Sequence, residues 1–279
     1  MKILKQGLYT GERALYNSRD MKIYDSVFAD GESPLKESCR IDINGCIFKW
    51  KYPLWYCKDI TVENSVILET ARSGIWYTSN IKMADTVIEA PKTFRRTSDI
   101  ELLRCNLPNA KETFWYCRNI SLTDVVANGD YFGLSAENVK AENLTINGNY
   151  AFDGGKNIEI RNARLISKDA FWNCKNVTVY DSLIVGEYLG WNSENVTFVN
   201  CTVESNQGMC YMENLKMVNC KLINTDLAFE LSTVDADICS EIDSVKNPVS
   251  GKIKAEAIRE LILDEDMIDP LKTEITVDK

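Results

Sequence analysis

The chain is predicted to be an all-β, single-stranded right-handed parallel β-helix of about thirteen coils, each 19 to 21 residues long. Three observations predict it: one phrase recurs at a near-constant interval, apolar residues alternate within it, and Asn, Asp or Gly recur at its corners. The phrase reads Lys58-Asp-Ile-Thr-Val, Arg118-Asn-Ile-Ser-Leu, Lys156-Asn-Ile-Glu-Ile, Lys175-Asn-Val-Thr-Val and Glu194-Asn-Val-Thr-Phe. Its first apolar residue serves as an anchor, giving Met21, Ile41, Ile60, Ile81, Ile100, Ile120, Val139, Ile158, Val177, Val196, Leu215, Val234 and Ile253. Most intervals are 19 residues, two are 20 and one, Ile60 to Ile81, is 21.

A second apolar residue follows each anchor by two, as in Ile43, Val62, Leu102 and Val179, with a mostly polar residue between. That is period-two alternation, a strand with one face in the core. A second apolar column lies seven after the anchor, from Phe28 and Phe48 to Val203 and Leu222. A third lies six before it and includes Leu35, Leu54, Ile75, Phe94, Phe114, Phe152 and Phe171. Three inward columns predict three strands per coil.

The corners carry their own chemistry. One before the anchor stands Asp59, Asn80, Asp99, Asn119, Asn176 or Asn195; four after it stands Asp25, Asn64, Asp85, Asn162 or Asn200. Both residue types tolerate the left-handed backbone region and bend a chain sharply, and stacked asparagines can hydrogen-bond from coil to coil. Ten before the anchor is Gly11, Gly31, Gly129, Gly148 or Gly186. A leucine-rich repeat has a similar period but needs a helical arc, which no stretch here provides, and a propeller blade needs about twice the length. The expected domains are residues 1–18 as an N-terminal cap or first half coil, 19–254 as the coils, and 255–279 as last strands or a C-terminal cap.

Composition bounds the function. The 279 residues are 45% hydrophobic and carry a net charge of −9. An acidic chain lacks the basic footprint of a nucleic-acid partner and gains nothing from an anionic membrane. No histidine is present, which excludes Ser-His-Asp and Cys-His catalysis and imidazole metal ligation. No cofactor and no metal site are expected. The N-terminal segment shows no signal-peptide pattern and no run reaches the length of a membrane span, so a cytoplasmic location is expected. Ten cysteines in such a chain are expected as free thiols. Eight fall in two columns, Cys46, Cys105, Cys201, Cys220 and Cys239 five after the anchor and Cys57, Cys117 and Cys174 three before, where serine, threonine or alanine stand in other coils. The columns call for a small buried residue.

One strand departs from the pattern. Five before the anchor stand Trp55, Trp76, Arg95, Trp115, Asp153, Trp172 and Trp191, and alternation turns this column outward. Arg72, Lys92, Arg96 and Glu112 lie on the same strand. Flat aromatic faces a coil apart suit sugar rings, so Trp55, Trp76, Trp115, Trp172 and Trp191 are expected to stack an oligosaccharide. Arg72, Lys92 and Arg96 are expected to bind its polar groups. If there is chemistry, Asp153, Glu112 and Arg95 are its candidates, as acid, base or uronate-neutralising group in a glycoside hydrolase-like or lyase-like reaction. On a straight strand Asp169 lies roughly 11 Å from Asp153, at ~3.3 Å per residue, too loose for a convincing pair. Two other readings stand beside this one. The aromatic face can be a homo-oligomeric or protein-binding surface of a non-enzymatic scaffold, or the tryptophans can be structural packing.

The strings Gly11-Glu-Arg-Ala-Leu, Gly31-Glu-Ser-Pro-Leu-Lys, Trp50-Lys-Tyr-Pro-Leu-Trp-Tyr, Gly74-Ile-Trp-Tyr, Ala90-Pro-Lys-Thr-Phe-Arg-Arg, Gly129-Asp-Tyr-Phe, Ser167-Lys-Asp-Ala-Phe-Trp, Gly186-Glu-Tyr-Leu-Gly-Trp-Asn and Asn206-Gln-Gly-Met-Cys-Tyr resemble a bacterial family known only as a domain of unknown function. That family resembles the pectate-lyase-like β-helix superfamily. The resemblance implies the right-handed β-helix and no particular activity, because fold does not fix function.

Overall fold

The computed structural model describes residues 1–278 and divides into two compact units, Met1–Ala141 and Glu142–Lys279. The fold is an all-β, right-handed parallel β-solenoid of about 15 turns. In the first unit the anchor strands pair in parallel and in register, Lys2 to Met21, Met21 to Ile41, Ile41 to Ile60, Ile60 to Ile81, Ile81 to Ile100 and Ile100 to Ile120. In the second the ladder runs from Ile158 through Val177, Val196, Leu215 and Val234 to Gly251 and Thr273.

The two extra turns are at the ends, where the anchor is Lys2 or Thr273 rather than an apolar residue. A terminal coil is covered on one side only, so its hydrophobic pattern fades. The same fading misplaces one anchor. Val234 pairs with Gly251, and Ile253 pairs with Ala236. The segment past residue 255 is strand, Ala257–Ile262 and Thr273–Val277, with a short 3₁₀ turn at Pro270–Lys272. No helix among the described residues is long and apolar enough to cross a membrane.

The three inward columns are buried. Ile41, Ile60, Ile81, Val177 and Val196 are each at most 1% exposed, as are Phe28, Phe48, Ile67 and Ile184 and, on the third side, Leu54, Ile75, Phe94, Phe114 and Phe171. Phenylalanines in register stack face to face, Phe28 on Phe48 and Phe94 on Phe114 with ring centroids 4.7 Å apart in both pairs. The third side is mostly turns; its strands are the two-residue segments Ile75–Trp76 and Phe94–Arg95.

Those turns have a physical cause. Residues one before and four after the anchor have positive φ, for example Asn80 at 52° and Asn162 at 50°, as their Asn/Asp composition requires. Their side chains form ladders: Asn80 Nδ2 donates to Asp59 at 2.7 Å, Asn119 to Asp99 at 2.8 Å, Asn195 to Asn176 at 3.1 Å and Asn200 to Asp181 at 3.0 Å. Two further left-handed columns lie eight and four before the anchor. They hold bulky residues, Tyr52, Lys92, Glu112, Tyr131, Tyr150, Asp169 and Tyr188 in the first and Tyr56, Tyr77, Arg96 and Tyr116 in the second. A bulky residue there costs on the order of 1–3 kcal/mol. The cost is met by ladder bonds to the next coil, such as Tyr56 N–H to Trp76 O at 2.9 Å and Asp169 N–H to Glu187 O at 2.9 Å.

The thiols behave as the columns predict. All ten cysteines are free, and all but the half-buried Cys239 are buried. Cys46 N–H donates to Ser65 Oγ at 3.0 Å and Cys57 N–H to Thr78 Oγ1 at 3.1 Å. Small hydroxyl side chains of the following coil thus serve these cysteine backbone groups as acceptors.

Candidate functional site: the tryptophan face

Alternation around the buried column six before the anchor sets the tryptophans outward, and all five are half-buried. Each indole makes the same bond. Trp55 Nε1 donates to Ser73 O at 2.5 Å, Trp76 to Lys92 O at 2.9 Å, Trp115 to Tyr131 O at 2.8 Å, Trp172 to Tyr188 O at 2.8 Å and Trp191 to Gln207 O at 2.5 Å. The acceptor is always the left-handed corner residue eight before the following anchor. A sharp corner turns its carbonyl out of the sheet ladder, and the indole N–H of the coil below satisfies it. The tryptophan column therefore staples coil to coil.

In the first unit the rings form a continuous stack. Trp55 lies on Trp76 at 5.3 Å with a 9° interplanar angle. The Arg95 guanidinium sits between Trp76 and Trp115, 4.6 Å from each ring centroid. Glu112 lies 3.5 Å from Arg95 and 3.0 Å from Lys92. Arg95 and Glu112, two of the candidate catalytic residues, are brought together and spend their charges on each other. Arg95 Nε is buried without a hydrogen-bond partner, as expected of a guanidinium edge clamped between two rings. The faces of Trp55, Trp76 and Trp115 that point along the stack are occupied from within, so what this column offers a ligand is edges. Arg96 is exposed at the corner beside them, in line with the exposed tyrosines Tyr56, Tyr77 and Tyr116. Tyr56 and Tyr77 stack at 4.8 Å.

Arg72 stands apart, on the far side of the left-handed corner. The coil from Ile60 to Ile81 is the 21-residue one, and its extra length forms a 3₁₀ turn, Glu69–Ala71. Thr70 Oγ1 ties that turn to Lys49 O at 2.5 Å. An open groove of about 370 Å³ results, lined by Trp50, Lys51, Glu69, Thr70, Arg72 and Pro91. Trp50 is 36% exposed. Lys51 is paired with Glu32 at 3.2 Å, whereas the exposed Arg72 guanidinium has no ion pair or hydrogen bond among the described residues. Sequence reading by columns missed Trp50, the tryptophan outside the column; the lengthened interval is the signal that marks it.

The second unit carries Asp153, Trp172 and Trp191. Trp172 stacks on Trp191 at 5.9 Å and meets Tyr150 edge-on at 6.2 Å. Asp153 is half-buried and accepts a hydrogen bond from Asn173 Nδ2 at 2.9 Å. Its neighbour across the coil step is Asp169, which is 2% exposed with Oδ1 lacking any hydrogen-bond partner. Burial raises the Asp169 carboxyl above its ordinary range; the charges of Glu187 and Asp153 add to this, and Lys168 and the Tyr150 phenol oppose it. Left-handed residues at Tyr150, Phe152, Asp169 and Phe171 break this side into corners rather than a straight strand. Among the described residues no three acidic or thiol side chains converge to hold a metal ion.

Solved β-helical structures resemble the chain distantly. The surface adhesin PfbA of Streptococcus pneumoniae shares 10% identity over 88% of this chain and 72% of its own, with a TM-score of 0.36. The A-module of the mannuronan C-5 epimerase AlgE4 of Azotobacter vinelandii shares 10% over 85% of this chain and 90% of its own, with a TM-score of 0.33. A search of curated proteins found no match. The family model described as "Protein of unknown function (DUF3737)" matches residues 2–276, and the chain belongs to that family.

Proposed function

We propose that this protein binds a carbohydrate on the tryptophan-bearing side of its first unit, with the sugar seated in the groove between Trp50 and Arg72. The observation that carries this reading is an exposed indole beside an unpaired guanidinium in a concave surface. An apolar ring face with a few convergent polar groups is the chemistry that holds a sugar. The tryptophan column has a different role in this reading. It fixes the coils, through its N–H bonds and stacking, and presents ring edges and the Tyr56, Tyr77 and Tyr116 phenols alongside. Because the five indoles spend their N–H groups on corner carbonyls, the non-enzymatic reading gains the same support, and the test separates the two. Tryptophan fluorescence and calorimetry against neutral and acidic oligosaccharides should show saturable binding that Trp50→Ala removes and Trp191→Phe leaves intact. Absence of binding by any sugar, together with a dimer that Trp50→Ala dissolves on size-exclusion chromatography, would replace the carbohydrate reading with a protein-binding one.

A further inference from the structure

The inward columns run out to the first and last coils without a cap. In the first unit the strands Lys2–Lys5 and Leu8–Tyr9 pair in parallel with the following coil, and their other edges have no partner among the described residues. Leu4 and Tyr9 pair with Ile23 and Phe28, and Leu15 precedes Leu35 in the third column. Ile23, Phe28 and Leu35 are at most 1% exposed, whereas Leu4, Tyr9 and Leu15 are only half-buried. In the second unit the strands Ala257–Ile262 and Thr273–Val277 likewise pair on one side only among the described residues. The half-buried Ile275 and the exposed Val277 pair with the buried Ile253 and Ala255. Among the described residues, seven of the nine exposed Val, Leu, Ile and Met side chains, from Met1, Ile3 and Leu8 to Met267 and Leu271, belong to these end segments. Exposed aliphatic surface is therefore a property of the two ends, and a further stacked coil is what would bury it.

The two ends also differ in charge. Residues 1–19 hold four basic residues, Lys2, Lys5, Arg13 and Arg19, against one acid, and all four are exposed. Residues 256–278 hold eight acids, all exposed, against two bases, in a chain whose net charge is −9. Among the described residues only Glu274 and Asp278 of these acids make an ion pair, with Lys252 and Lys254. We propose that the acidic end of one copy of this chain docks on the basic end of a second copy, so that the solenoid associates head to tail. The occupant is a second copy because the same repeat builds both ends, and each end presents the inward columns that a neighbouring coil covers elsewhere in the chain. Contact between two like ends would set charges of one sign against each other, whereas contact between unlike ends attracts. Such a contact uses a different surface on each copy and need not close on itself, so it propagates beyond a dimer. It involves none of the residues of the Trp50 groove and stands or falls without it.

The test is analytical ultracentrifugation of the full chain from about 1 μM to about 0.5 mM. The weight-average mass should rise with concentration past that of a dimer, and rise less as salt screens the two ends. Lys2→Glu with Lys5→Glu, and separately Glu265→Lys with Asp266→Lys, should each lower the association constant by about tenfold or more. All four side chains are exposed. An equimolar mixture of the two variants should regain association, because each reversed end meets its complement on the other chain, and a folding defect cannot imitate that rescue. A chain that stays monomeric over the whole range overturns the proposal. So does association that one pair of reversals abolishes and the other leaves intact, which is the mark of a contact between like ends.

Discussion

Arg95 in the first unit and Asp153 in the second occupy the same register position, between a corner acid and a tryptophan, with opposite charge. Around Arg95 the slot is closed. Two indoles clamp the guanidinium, Glu112 neutralises it, and Lys92 completes the cluster. Around Asp153 the same register positions carry two carboxylates, Asp153 accepting from Asn173 and Asp169 buried beside the Tyr150 phenol. The difference teaches that the tryptophan face is first a construction device. Its repeating bond, indole N–H to corner carbonyl, needs no ligand. The lengthened coil beside Trp50 is where that device is interrupted by a groove.

Four measurements break or sharpen this contrast. The largest effect is expected from Trp115→Ala, which removes a stacked indole, one face of the Arg95 clamp and the bond to Tyr131 O. Denaturant unfolding should show a loss of about 2–3 kcal/mol, near the lower end for a large aromatic because the ring is half-buried. Glu112→Gln keeps the shape and removes the charge that balances Lys92 and Arg95. A loss of about 1–2 kcal/mol is expected, reduced in high salt because part of the cluster is exposed. Asp153→Arg carries the closed arrangement into the second unit. It should stabilise by about 1 kcal/mol, and Asp169→Asn in the same chain should cancel most of that gain, a coupling that a double-mutant cycle reads directly.

The smallest effect concerns pH. Asp169 has a folded-state pKa above its unfolded value, so the folded chain holds the proton more tightly. Its contribution therefore favours folding at low pH and is lost as pH rises from about 4, the ordinary Asp range, up through the folded value. Stability measured across that window should fall less steeply with pH in Asp169→Asn than in wild type. An identical slope in both chains would show that Asp169 is not the group responsible.

The repeat made much of this legible. A period of 19 to 21 residues with inward Ile, Val and Phe columns and Asn/Asp corners has one solution in parallel strands, and the in-register pairing from Met21 to Ile120 follows it residue by residue. The outward parity of the tryptophans was legible too, because their neighbours six before the anchor are invariably apolar or small. The pattern weakens at the ends. Lys2, Gly251 and Thr273 hold anchor positions without apolar side chains, since a terminal coil has half a core to fill. Trp50 was passed over because it belongs to no column, and Asp169 because a strand was assumed where the chain turns.

The amino-acid sequence by itself determined the coil, its inward columns, its small-residue thiol columns and the side on which aromatic and ionic residues collect. These follow from local alternation and from corner residues that each coil repeats. Only the tertiary structure decided what that side does with its residues. Whether an indole face is open to a ligand or covered by the next ring, whether Arg95 meets Glu112, and whether the Tyr150 phenol meets Asp169 depend on side chains about a coil apart in sequence. Left-handed corners bring those side chains together by folding the third side out of the straight path that counting along a strand assumes.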